Sequence, residues 1–173
     1  MKPSHRTFFT GIIFASALSL SAHSAFAASA KLEGVFTDWS VYSKSEGNDR
    51  ICYALAKPST KAPKSVNHGD IYFMVANWKS GAAKEQPSLL TGYSLKVEVP
   101  PSARVGSAKT PMYSAQNEAF IESDTDEKKL VRAMRKGSNM RVDAMSARGT
   151  QTSYEFSLRG ITAALRKAKT VCQ

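Results

Sequence analysis

The chain contains two cysteines, Cys52 and Cys172, so a fold that joins them must bring an early segment to the chain's last residues. An even cysteine count in an oxidising compartment reads as one disulfide; the alternative is two buried thiols. Closing a loop of roughly 120 residues would remove ~4–5 kcal/mol of unfolded-state entropy on the chain-entropy model. The compartment is indicated by the other end. Lys2 and Arg6 precede an apolar run over residues 8–20. Ala25-Phe26-Ala27 then offers small residues where a signal peptidase requires them, which is the order of a secretory leader. The run falls short of the ~20 residues that a spanning helix needs. The expectation is a signal peptide at 1–27, cleaved after Ala27 (Ala28 and Ala30 are the alternatives). One periplasmic or secreted domain would follow at 28–173, with no membrane-spanning segment.

Alternation organises the rest. Val35, Thr37, Trp39 and Val41 share one strand face, with Asp38 and Ser40 on the other. A turn cluster at 45–49 leads to a returning strand at 51–56, and 57–69 is a polar loop. Residues 71–78 form a nearly continuous apolar run, read as a central strand buried on both faces. After a polar loop at 79–88, residues 89–95 resume a strand with Gly92 as a bulge or bend. Pro100-Pro101 should stop any strand over 97–99. Short strands are expected around Met112-Tyr113 and over 119–121, then at 140–147 and 152–158 about a turn at Arg148-Gly149. Two helices complete the pattern. Residues 124–136 carry Asp124-x-x-Glu127 as a capping box, Leu130, Val131 and Met134 as a stripe, and Gly137 as the C′ residue. In the terminal helix Ile161, Leu165, Ala168 and Cys172 recur on one face, so the thiol points inward. Roughly seven or eight strands with two short helices predict a mainly β fold, a β-sandwich with one helix at its C-terminus.

The inventory for catalysis is thin. His5 and His23 leave with the leader, so His68 is the sole histidine of the processed chain, and it reads as a solvated loop residue. With both cysteines oxidised no His/Cys metal cluster can be assembled, and no G-x-S-x-G elbow presents a serine. Asp38, Glu98, Glu118 and Glu122 could supply a carboxylate pair for glycan hydrolysis, but no spacing selects two of them. The reading names no catalytic, metal-binding or cofactor-binding residue and no cofactor. Binding features are more numerous. Trp39, Tyr42, Tyr53, Tyr72, Phe73, Trp78, Tyr93 and Tyr113 could stack on sugars, although aromatics at period two more often fill a core. The net charge is +10, of which the leader removes only Lys2 and Arg6. The basic residues Lys128, Lys129, Arg132, Arg135, Lys136, Arg166, Lys167 and Lys169 are candidates for contact with an anionic surface. Lipid A phosphates, teichoic-like polymers and host glycosaminoglycans are the partners considered; ordinary solvated helix faces are the bland alternative. Export removes nucleic acid as the usual target of such charge.

Several segments together resemble the invasion-associated locus B family. They are Asp38-Trp39-Ser40-Val41, Gly69-Asp70-Ile71-Tyr72-Phe73-Met74-Val75, Pro87-Ser88-Leu89-Leu90-Thr91-Gly92-Tyr93, Met134-Arg135-Lys136-Gly137-Ser138, Ser146-Ala147-Arg148-Gly149-Thr150 and Ser157-Leu158-Arg159-Gly160-Ile161-Thr162-Ala163-Ala164-Leu165. The resemblance runs in order over nearly the whole processed chain. It implies a sandwich of immunoglobulin-like architecture, export by an alphaproteobacterium, and a link to host-cell entry and virulence in pathogenic members. Non-pathogenic relatives carry such proteins too. It supplies no catalytic residue, cofactor or ligand. Some relatives have a further cysteine where Ser43 stands here, so one bridge is expected. Three readings follow: a non-enzymatic envelope or host-surface binding protein, a glycan hydrolase using a carboxylate pair, and a chaperone-like structural component with an exposed apolar patch or open sheet edge. None of them specifies an oligomeric state.

Overall fold

A computed structural model describes residues 29–173; the expected leader lies outside the described residues. Twelve strands and two helices follow one another: β1 (Lys31–Phe36), β2 (Trp39–Glu46), β3 (Asp49–Ala56), β4 (Thr60–Ala62), β5 (Tyr72–Trp78), β6 (Gln86–Leu90), β7 (Ser102–Val105), β8 (Ala108–Pro111), β9 (Tyr113–Ala115), β10 (Glu118–Phe120), α1 (Asp124–Lys136), β11 (Asn139–Met145), β12 (Gln151–Ser157) and α2 (Ile161–Val171). A seven-stranded sheet has the order β1-β2-β3-β5-β6-β10-β9 and a five-stranded sheet the order β4-β12-β11-β7-β8. Neighbouring strands in both sheets run antiparallel. The expected mainly β, two-sheet class with a C-terminal helix is what forms.

The period of two determines which residues meet between the layers. Val41, Ala54, Phe73, Val75 and Leu89 from the large sheet join Val142, Tyr154 and Phe156 from the small one in a single core. The rings of Phe73 and Phe156 lie 5.6 Å apart across the sandwich. The buried Trp39 indole donates to the Ser157 carbonyl at 2.9 Å, tying β2 to the end of β12. Helix α2 packs across β1, β2 and β3. It lies on the face that carries Cys52, because Cys52 and Cys172 form a disulfide there with a Cα–Cα distance of 5.6 Å. Helix α1 lies against β6, β7 and β8 and touches α2.

Several expectations are corrected. Residues 35–42 are not one strand. Thr37 and Asp38 form a two-residue turn between β1 and β2, with Phe36 opposite Trp39. Strand β5 is central, but it is not buried on both faces. Phe73, Val75 and Asn77 face inward, whereas Tyr72, Met74 and Trp78 stay half-exposed on the outer face beside Tyr42, Tyr53 and Leu55. Strand β6 ends at Leu90, so residues 91–94 turn instead of continuing it. The N-cap of α1 is Ser123 and not Asp124: its hydroxyl accepts from the Asp126 N–H at 3.3 Å. Gly137 does not adopt the left-handed conformation of a C′ glycine. Its backbone is extended, and what it supplies is room, because a Cβ there would stand 2.5 Å from Val105 Cγ1.

Candidate functional site

The helix period sorts the eight candidate cations. At 3.6 residues per turn, positions i, i+3 and i+7 share a face. Lys128, Val131 and Arg135 therefore form one stripe of α1, and Lys129, Arg132 and Lys136 form another. In α2, Leu165, Lys169 and Cys172 fall in line with Arg166 at their flank, while Lys167 lies on the far side. The structure brings Lys128, Arg135, Arg166 and Lys169 around a single cleft of about 600 Å³. It does not bring the other four there. Lys129 pairs with Asp126 at 2.9 Å, and Arg132 and Lys136 are exposed elsewhere on α1. Lys167 stands toward Glu33 of β1. The Glu33 carboxyl is held below the usual carboxylate range mainly by the Ser43 hydroxyl, which donates to it at 2.7 Å, with Lys31 and Lys167 adding to the effect.

The third wall of the cleft is the β5–β6 loop, which contributes Lys79 and Lys84. Sequence reasoning passed over both, since a lysine in a polar loop carries no periodicity that says what it will face. The loop is held from below. The Lys79 N–H donates to the Arg50 carbonyl at 2.9 Å, and the Ser80 N–H donates to the Asp49 carboxylate at 3.1 Å. Hydrogen bonds from Ser80 and Arg50 lower the Asp49 pKa, so the anchor stays ionised over a wide pH range. At the far end of the loop Glu85 adopts a left-handed φ of +52°, which a residue with a Cβ seldom takes. Its N–H donates to Asn77 Oδ1 at 3.0 Å, and its carboxylate pairs with Arg135.

Beneath these charges the floor is apolar. Val131, Leu165 and Cys172 form it, with the half-exposed Trp78 on one side. Lys79, Lys84, Lys128, Arg166 and Lys169 make no ion pair among the described residues. Asn77, only 7% exposed, also lines the cleft, and its Nδ2 has no hydrogen-bond partner among the described residues. Because Oδ1 is committed to Glu85, the free group is a donor. Such a site attracts anions and offers apolar contact below them.

The candidates for chemistry fare differently. His68 is not solvated: it is 7% exposed, with Nε2 at 2.9 Å from the Pro63 carbonyl and Nδ1 at 2.9 Å from the Tyr154 hydroxyl. A carbonyl only accepts, so Nε2 carries a hydrogen, and Nδ1 shares the remaining hydrogen bond with Tyr154. The Tyr93 hydroxyl meets Tyr154 at 2.8 Å and Thr152 at 2.7 Å, which completes a chain of hydroxyls beside a second cavity of about 370 Å³. Burial raises the Tyr154 phenol above its ordinary pKa. Of the carboxylates, Asp38 sits in the β1–β2 turn and accepts from the Ser157 hydroxyl at 2.7 Å, whereas Glu118 belongs to β10. Strands β2 and β10 are four steps apart in the large sheet. That is roughly 19 Å at ~4.8 Å per step, beyond the ~5–10 Å of a glycosidase pair. Glu98 and Glu122 are exposed. No group of three metal-ligating side chains occurs among the described residues, and no described helix is long and apolar enough to cross a membrane.

Comparison with known proteins adds to these observations. The family model described as Invasion associated locus B (IalB) protein matches residues 39–169, more than half of the chain. The crystal structure of invasion associated protein B from Bartonella henselae is similar with a TM-score of 0.53. The two share 13% sequence identity over 80% of this chain and 96% of that one, which is a likeness of fold. A search of curated proteins finds no match.

Proposed function

The chain belongs to the invasion-associated locus B family, and from that premise we propose that it is an exported protein of the bacterial envelope that binds an anionic partner instead of catalysing a reaction. Residues 1–27 are its cleaved secretory leader and residues 28–173 its working domain, periplasmic or released. The order of the leader sequence and the closed Cys52–Cys172 bridge support export. Involvement in host-cell entry is the further step that the family name suggests. The observation that carries the binding reading is the convergence of cations from α1, α2 and the β5–β6 loop on one cleft, with only Arg135 neutralised by a carboxylate.

The test is binding of the labelled, purified protein to intact envelope and host-cell surfaces at rising ionic strength. The Debye length falls from ~8 Å in physiological salt to ~3 Å at 1 M. Binding should therefore weaken steeply with salt, and Lys128→Glu with Lys169→Glu should abolish it. Salt-independent binding that survives both substitutions would refute the cleft as the contact surface. Turnover of peptidoglycan or host glycan by the same preparation, lost on replacing one carboxylate, would establish the hydrolase reading instead.

A further inference from the structure

We infer that the cleft takes a single-chain anionic amphiphile: one alkyl or acyl tail ending in a phosphate or carboxylate. The inference rests on the anionic-binding reading above and names the ligand class for the same site. Three features of the cleft carry it. The first is enclosure. A polymer or a flat charged surface is best met by a continuous basic stripe, yet Lys129, Arg132 and Lys136 turn to another face of α1. What remains is a recess of about 600 Å³ between two helices and a loop, within the roughly 300–1,000 Å³ of small-molecule sites. The second is the lining. Val131 and Leu165 lie under the recess, almost wholly covered, the disulfide-bonded Cys172 continues that floor, and the open surface of the recess is mainly apolar. The lysine stems add methylene surface while their ammonium groups stay in water. An inorganic or sugar anion would leave this apolar area unused, and an uncharged lipid would leave the cations unused. The third is the buried donor at the loop end. Asn77 Nδ2 lacks an acceptor in the corner where Oδ1 holds Glu85, next in sequence to Lys84. A headgroup oxygen there would take up that hydrogen while meeting Lys84, and the tail would lie along the stems of Lys128 and Lys169, above the covered Val131 and Leu165.

The experiment titrates the purified exported protein with dodecyl phosphate, octyl phosphate, inorganic phosphate and dodecyl maltoside, each below its micelle-forming concentration, following the heat of binding by calorimetry. Dodecyl phosphate should bind saturably and at least tenfold tighter than octyl phosphate, since each buried methylene is worth up to about fourfold. Inorganic phosphate and dodecyl maltoside should each bind at least tenfold more weakly than dodecyl phosphate. Arg166→Glu with Lys169→Glu should cost at least tenfold. Lys129→Glu with Arg132→Glu makes the same charge change away from the cleft and should cost less than twofold. Equal affinity for inorganic and dodecyl phosphate would overturn the amphiphile and leave a simple anion site. Binding of sulfated dextran with none of dodecyl phosphate would also overturn it, in favour of a polymer, with the anionic-partner reading intact. Failure of every anionic probe, sulfated dextran included, would overturn both.

Discussion

Tyr154 shows what a single residue decides in this protein. Its hydroxyl is hydrogen-bonded to both His68 and Tyr93, so the loop before β5, the segment after β6 and strand β12 meet at one oxygen. Replacing it with Phe removes one oxygen and leaves His68 Nδ1 without its partner in a buried setting. An unsatisfied buried group costs ~1–3 kcal/mol, so Tyr154→Phe should lower the unfolding free energy by about that much in urea denaturation. Tyr93→Phe, at the half-exposed edge of the same network, should cost less. If the two variants are equal and wild-type-like, the network does not hold the loop. None of this was legible in the sequence. A lone histidine flanked by Asn67 and Gly69 in a polar loop reads as solvated, and its partner lies 86 positions away. Trp39 was more legible, because its place in an alternating run already argued for burial.

At the scale of elements, the two helices were readable because an amphipathic stripe is a local signal, and both run close to their expected spans. The cap of α1 was misplaced by one residue. Ser123 and Asp124 can each cap, and the choice depends on the direction in which the backbone leaves β10. The β1–β2 hairpin was invisible for a different reason. Alternation continues through Thr37-Asp38, and Thr37 takes a φ of +56° that no β-branched residue advertises. Helix α2 is capped at its N-terminus by Gly160. Gly160 has a φ of +90°, and a Cβ there would sit 2.0 Å from the Phe36 carbonyl oxygen. Gly160→Ala should therefore destabilise by more than the ~1–2 kcal/mol that a left-handed backbone alone costs, because β1 must also move. A denaturation midpoint within error of wild type would show that the β1–α2 contact yields freely.

Over the whole molecule, the disulfide joins the third strand to the end of the last helix with a sequence separation of 120. Cys172→Ser should reduce stability by ~4–5 kcal/mol on the loop-entropy account and make Cys52 reactive toward alkylating reagents. Since Cys172 also forms part of the cleft floor, the same variant should weaken anion binding at temperatures where it remains folded. Equal thiol labelling of the native wild type with and without reductant would contradict the bridge. By itself the sequence determined the mainly β class, the two helices, the single pair of cysteines and the excess of cations, because each of these follows from composition or from periodicity within a few neighbours. Tertiary structure alone decided which cations share a cleft, that Lys79 and Lys84 join them, that Glu85 neutralises only Arg135, and that His68 is buried. The physical reason is range: local periodicity assigns a side chain to a face of its own element, whereas convergence depends on how the elements pack against one another.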